Sequence, residues 1–229
     1  SSGNVDSIGI ITATTFKGAF DGSLSSSADA TINGVTVGKG VNSVATNTVL
    51  GLNALDAAVT GANNTALGKG ALGNNTSGTE NTSVGSETLE ANTTGQRNTA
   101  VGYRALEDNT GDMNTAVGAY ALPENTTGDN NTAVGRNALR NSSTASNNTA
   151  IGHQALDQNT TGAQNVAVGA QALDNNTTAD NNVAVGFNAG TALVTGGYNV
   201  ALGHSALVDN ITGVNNVAIG YQTLNNSTD

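Results

Sequence analysis

The chain has no cysteine, no tryptophan and a single proline, with three phenylalanines and four tyrosines among its 229 residues. Each shortage excludes something. Without cysteine there is neither a disulfide framework nor thiolate chemistry. With so few aromatics, large rings cannot supply the buried area of an ordinary core. Lys and Arg number seven, are spread along the chain, and face 17 Asp and Glu, for a net charge of -10. Phosphate binding needs a concentrated basic surface, so nucleic acid is not an expected partner. No apolar run approaches the ~18 residues of a membrane span, so no membrane insertion is expected. No signal peptide is visible and the chain does not begin with Met, which reads as a processed or excised chain. Collagen triplets and heptads are both missing.

What remains is Gly, Asn, Thr and small aliphatics, and these recur. The motif Asn131-Thr132-Ala133-Val134-Gly135 appears in recognisable form ten more times. Its glycines are Gly51, Gly68, Gly85, Gly102, Gly118, Gly135, Gly152, Gly169, Gly186, Gly203 and Gly220, and nine of the ten spacings are 17 residues. So polar a composition would suggest disorder, but apolar residues returning to fixed columns mark a repeat architecture.

Residues 1–33 lie outside the repeat. Ile8 to Phe16 is rich in β-branched residues and reads as a strand; Phe16 and Phe20 suggest a cap or an attachment segment. Residues 34–229 read as the repeat domain. Gly34-Val35-Thr36-Val37-Gly38 has the motif's alternation and reads as a degenerate first coil. From Asn47 the pattern is regular. Asn stands four before each glycine, Val, Leu or Ile one before, and mostly Ala two before. Three before comes Thr in the first seven copies and Val in the last four (Val166, Val183, Val200, Val217).

This is period-two alternation, the mark of a strand with two unlike faces. The face shared by the Thr/Val and aliphatic columns is assigned to the core. The Ala face is small and flat and suits the approach of another backbone. Ala-Leu pairs such as Ala138-Leu139 follow each glycine and give a second core contribution, so Val134 and Leu139 are both expected inside. Gly190 replaces the Leu in one copy, which predicts a local distortion. A polar turn such as Asn125-Thr126-Thr127-Gly128 closes the unit. Ala145 and Ala179 stand in for its glycine twice, so positive φ is not required there. The one-residue deletion, at Asn109-Thr110-Gly111, falls in this turn, where length changes are absorbed.

Strand, corner, second extended segment and turn make one coil, and coils stacked at ~4.8 Å bury a continuous core. The fold class is all-β: a parallel β-solenoid of about 11 coils. A thin solenoid buries little apolar area, and cyclic self-association would remedy that.

At the Asn-Thr/Val-Ala-Val/Ile-Gly motif, most closely in Asn182–Gly186 and Asn216–Gly220, the chain resembles the head repeats of YadA-like trimeric autotransporter adhesins. The longer unit with its Ala-Leu and Asn-Thr-Thr-Gly turn is similar to repeats of phage tail-fibre proteins, notably of cyanophages, as is the segment Ile10–Phe16. The resemblance covers residues 34–224 or so. It implies a left-handed roll and a homotrimer. It also implies a structural fibre or adhesin on a virion or cell surface, with a host glycan or protein as partner. The period is longer than that of adhesin heads.

No catalytic constellation is apparent, and no enzyme activity or cofactor is expected. The two histidines, His153 and His204, are three coils apart and do not share a metal within one chain. Carboxylates sit mainly in turns, and no pair recurs at an acid–base spacing. Calcium-binding loop motifs are missing. The Asn-x-Ser/Thr sequons follow from turn chemistry. The motif Asn caps the turn or forms an amide ladder. The Thr column also raises an ice-binding reading, alongside a glycan-acting β-solenoid. Receptor contact is expected at the variable positions after the glycine: Tyr103, Arg104, Tyr120, Arg136, His153, Phe187, His204 and Tyr221. Core columns do not vary so widely in size and charge, so these should form an exposed corner stripe.

Overall fold

The structure, a computed structural model, describes residues 30–32, 35–40, 44–57 and 59–225. The strand expected over residues 8–16 lies outside them. Among the described residues thirteen strands form one sheet in chain order. β1 (Ala30–Ile32) and β2 (Val35–Gly38) pair antiparallel, and β2 pairs antiparallel with β3 (Thr48–Gly51). The segment around Val35 is therefore a reversed hairpin against the first coil. It is not a degenerate coil of the stack, as its alternation had suggested. From β3 onward every pairing is parallel, through β4 (Thr65–Leu67) and β8 (Thr132–Val134) to β13 (Val217–Ile219). Equivalent residues pair directly, so Thr132 lies opposite Thr149 and Ala133 opposite Ala150.

The ladder extends beyond the three-residue strands. Leu139 N donates to Ala155 O at 3.0 Å, Gln154 N to Arg136 O at 3.1 Å, and Thr126 N to Ser143 O at 2.8 Å. Every wall of the coil is thus bonded to the next turn. The 16-residue unit keeps this register, because Asn109 stays buried and the missing residue is taken from the turn: Asn109 Nδ2 reaches Gly111 O at 2.9 Å.

The two strand faces are the reverse of the sequence assignment. Ala66, Ala100, Ala116, Ala133, Ala150, Ala167, Ala184 and Ala201 are buried, whereas Val134 is only half-buried and Val117 and Ile151 are exposed. The Ala column points into the coil. The reason is space. Leu139 and its equivalents from Leu55 to Leu207 cross the interior from the opposite wall with no exposed surface, and beneath them the column is Ala in nearly every coil, with Val49 in its place only in the first and Ser83 in the third. The Ala column packs inside; it is not a platform for another backbone.

Corners impose a cost. Up to three positions per coil adopt left-handed backbone, mostly with non-glycine residues, for example Gln154 (φ 56), Leu156 (φ 54) and Gln164 (φ 59). Each costs roughly 1–2 kcal/mol. Full burial of a Leu side chain returns about 1.5–3 kcal/mol, so packing outweighs the strain at the Leu column. The motif glycine is required twice over. Gly135 sits at φ 132, and a Cβ there would lie 2.5 Å from Gly152 O of the next coil.

The Gly190 coil keeps its register, contrary to the distortion expected of it: β11 (Val183–Val185) pairs normally with β12 (Val200–Leu202). Leu193, from the position three residues on, is 1 % exposed and fills the space. A Cβ on Gly190 would meet Leu173 Cδ2 and Leu193 Cδ1 at 3.0 Å. A second exchange occurs at Ser83, which replaces an interior Ala. Its hydroxyl lies 2.6 Å from that of Thr88, which replaces another.

The motif Asn does both things proposed for it. Asn131 Nδ2 donates to Ala145 O at 2.8 Å, closing its own turn, and Asn148 N donates to Asn131 Oδ1 at 3.0 Å, tying the next coil. A second buried Asn column, with Asn75, Asn92, Asn109 and Asn125, braces the turn from inside. There Asn125 Nδ2 reaches Asn109 Oδ1 at 2.6 Å and Gly128 O at 2.8 Å.

Candidate partner-binding surfaces

Turning the Ala column inward turns the other two columns outward. The outer sheet face is a band two side chains wide, Thr or Val beside Val, Leu or Ile, and none of these residues from Thr48 to Ile219 is buried. Leu50 is 44 % exposed and Ile151 40 %, far above a core value. The band is flat because the strands stack in direct register. It is also graded. In the first seven coils the Thr hydroxyls interrupt it, while in the last four Val166, Val183, Val200 and Val217 make it wholly aliphatic. Exposed apolar patches of about 300–600 Å² are the largest that a typical monomer carries, and they are often functional.

The corner stripe lies one residue beyond each glycine. Tyr103, Arg136, His153, Phe187, His204 and Tyr221 are exposed there, as their variability predicted. Arg104 and Tyr120, at the next position, are half-buried. The structure gathers the aromatics into two groups. Tyr103 and Tyr120 meet edge to face at 5.3 Å, with the Arg104 guanidinium 5.3 Å from the Tyr103 ring. Farther along, His204 lies between Phe187 and Tyr221, 5.2 Å from each. That spacing is set by the coil rise. Arg136 and His153 join neither ring group.

Arg104 is tied down. It donates to Glu87 Oε2 at 2.8 Å and sits 3.6 Å from Glu107 Oε1. Lys69 also reaches Glu87, at 3.2 Å. The hydrogen bonds from Arg104 and then Lys69 hold the Glu87 carboxyl below its usual range, while burial pushes Glu107 up. Glu87, Glu90 and Glu107 bring carboxylate oxygens within 4.8 Å of one another. Lys69 and Arg104 already supply positive charge there, so the group reads as a surface ion-pair network. A hollow of about 210 Å³ opens beside it where Gly70 and Gly73 carry no side chain.

One group escaped the sequence reading. Arg140, Asp157 and Asp174 occupy the same position in three successive coils. Arg140 Nη2 donates to Asp157 Oδ2 at 3.0 Å, and Gln158 Nε2 to the same oxygen at 2.9 Å. The Asp157 side chain is 2 % exposed. The signal is present in the 17-residue offset of an Arg and two Asp, but the sequence reading placed the carboxylates mainly in turns and sought only recurring pairs.

Among the described residues no helix is long and apolar enough to cross a membrane. Comparison with protein-family models, curated proteins and solved structures finds no match.

Proposed function

We propose that this chain is a module of a structural fibre or adhesin, of the kind carried by phage tail fibres or cell surfaces. In this reading parallel copies associate through the outer sheet face and present the corner stripe to a host glycan or protein. The observation that carries it is the exposed aliphatic band along the whole stack. Eleven strands at ~4.8 Å spacing make it about 50 Å long, and three residues of strand make it about 10 Å wide. Each face then offers about 500 Å². Three chains turned toward one axis would bury about 500 Å² each from the band alone, and a standard interface takes about 800 Å² from each partner, so residues flanking the band would join the contact. Cyclic closure also leaves no apolar face over, which a head-to-tail arrangement would. The exposed aromatic groups suit glycan or protein contact.

Light scattering at low micromolar concentration is expected to give about three chain masses. A folded monomer would overturn the assignment.

The outward Thr column gives a second reading specific support. A flat rank of Thr methyls and hydroxyls at regular spacing suits ordered water, which is the ice-binding alternative. A monomeric chain showing thermal hysteresis would favour it; a trimer without hysteresis favours the fibre.

A further inference from the structure

Three features of the molecule invite a role beyond the fibre: the Glu87–Glu90–Glu107 ledge, the hollow at Gly70 and Gly73, and the Arg140–Asp157–Asp174 seam. The first two are already neutralised or open to solvent. The seam holds an unresolved account of hydrogen bonds. Asp157 Oδ2 takes both of its donors, from Arg140 and Gln158. Asp157 Oδ1 is sealed from solvent and has no partner, and the same holds for Asp174 Oδ1. The two residues are one coil apart in register, with Gln158 N donating to the Asp174 carbonyl at 2.9 Å. Arg140 Nε is likewise buried and unpaired, so the seam has one spare N–H on the Asp157 side against two spare acceptor oxygens, and at least one of those oxygens is left with a place for a hydrogen. Buried polar atoms are almost always paired, so each such vacancy calls for a cause.

We propose that Asp157 and Asp174 hold one proton between them, making this seam a clasp that closes in acid and loosens toward neutrality. The proton resides on the Asp174 carboxyl and is donated to Asp157 Oδ1. Asp157 remains the anion, because Arg140 and Gln158 stabilise its charge. Deprotonation releases the proton to solvent and leaves two like charges on neighbouring rungs, roughly one strand spacing apart. A hydrated cation does not fit this role, since both free oxygens lack solvent-accessible surface.

The surroundings agree. Burial first, and then the Asp157 charge, push the Asp174 carboxyl up to about 6, while Arg140 and His153 pull it down. On the following coil the equivalent position is Thr191, which is uncharged. The sign follows from linkage. A folded-state value raised from 3.8 means that the stabilisation is complete below about pH 4 and is lost as pH rises through about 6.

The test uses the whole chain and Asp174→Asn, which keeps the shape, offers an N–H donor to Asp157 and does not titrate. Melting temperatures are compared at about pH 4.5 and about pH 7.5, at fixed concentration. The variant is expected to match the parent in acid and to melt a few degrees above it near neutrality. An offset of the same size at both pH values would overturn the proposal. Carbon-13 titration of the carboxyl resonance that disappears in Asp174→Asn gives a second readout. A midpoint near 6 supports the shared proton, and one near the ordinary value of about 4 refutes it.

Discussion

Among the described residues ten leucines adopt left-handed backbone, from Leu55 (φ 47) to Leu224 (φ 51). Leucine has no local chemistry that favours this conformation; burial holds nine of them there, while Leu224, in the last coil, is 45 % exposed. The same corners contain exposed residues with no such compensation. Gln164 is exposed at φ 59, and its backbone N–H donates to Ser146 O at 3.2 Å. Gln164→Gly keeps that bond and removes the clash. It is expected to raise stability by about 0.5–1 kcal/mol, the left-handed penalty less the added entropy of the unfolded chain. A thermal melt checks this, and a lowered melting temperature would contradict it. Part of this geometry was legible. Asn tolerates left-handed backbone and recurs at two of the three positions, as Asn53 and Asn137 and as Asn130 and Asn147. The Leu column gave no such sign, because what holds it is a contact from another part of the coil.

At the scale of the coil, the period, the Leu column, the turn and the parallel stack were all readable, because they follow from spacing and from the habits of Gly and Asn. The direction of the strand faces was not. Alternating Ala and Val announces two unlike faces, but smallness has two physical origins. Ala133 is small because Leu side chains occupy the interior it faces. A flat docking surface would have produced the same letters. Only the cross-section of the coil separates the two cases. It also explains why Leu193 restores the packing that Gly190 gives up, a compensation between positions that column-by-column reading misses.

The two columns should therefore answer mutation differently. Leu139→Ala is expected to cost about 2–5 kcal/mol, the range for emptying a core site. Val134→Asp should keep the native circular dichroism spectrum, since its side chain can reach water, yet abolish the threefold mass that the proposed association predicts in light scattering. Loss of the fold in Val134→Asp would return that residue to the interior.

For the whole molecule, the graded sheet face gives the rod a direction. Thr beside Val along the first seven coils gives way to Val beside Val, Leu or Ile along the last four. Copies that associate through this face would therefore hold hardest over their final coils. The reversed hairpin at the other end has a different task. β2 runs against β3 and occupies the hydrogen-bonding edge that the first coil would otherwise leave open, where stray strands could add.

The Asn ladder makes the rod a counted object. Asn182 ties its own turn through Gly196 O and receives the next coil through Asn199 N, and Asn199 repeats both bonds with Gly213 and Asn216. Every rung offers the same socket as its neighbour, so a rung can be withdrawn and the ladder closed again. Deleting residues 187–203 removes one turn together with the matched Gly190 and Leu193, and brings Asn216 to the socket that Asn199 held. The shortened chain is expected to fold, with small-angle scattering showing a rod shorter by about 4.8 Å. Removing eight or nine residues instead would leave half a turn and an unfolded chain. Solenoids built this way lengthen or shorten by gene duplication and loss in fixed steps, with no new core to invent at either end.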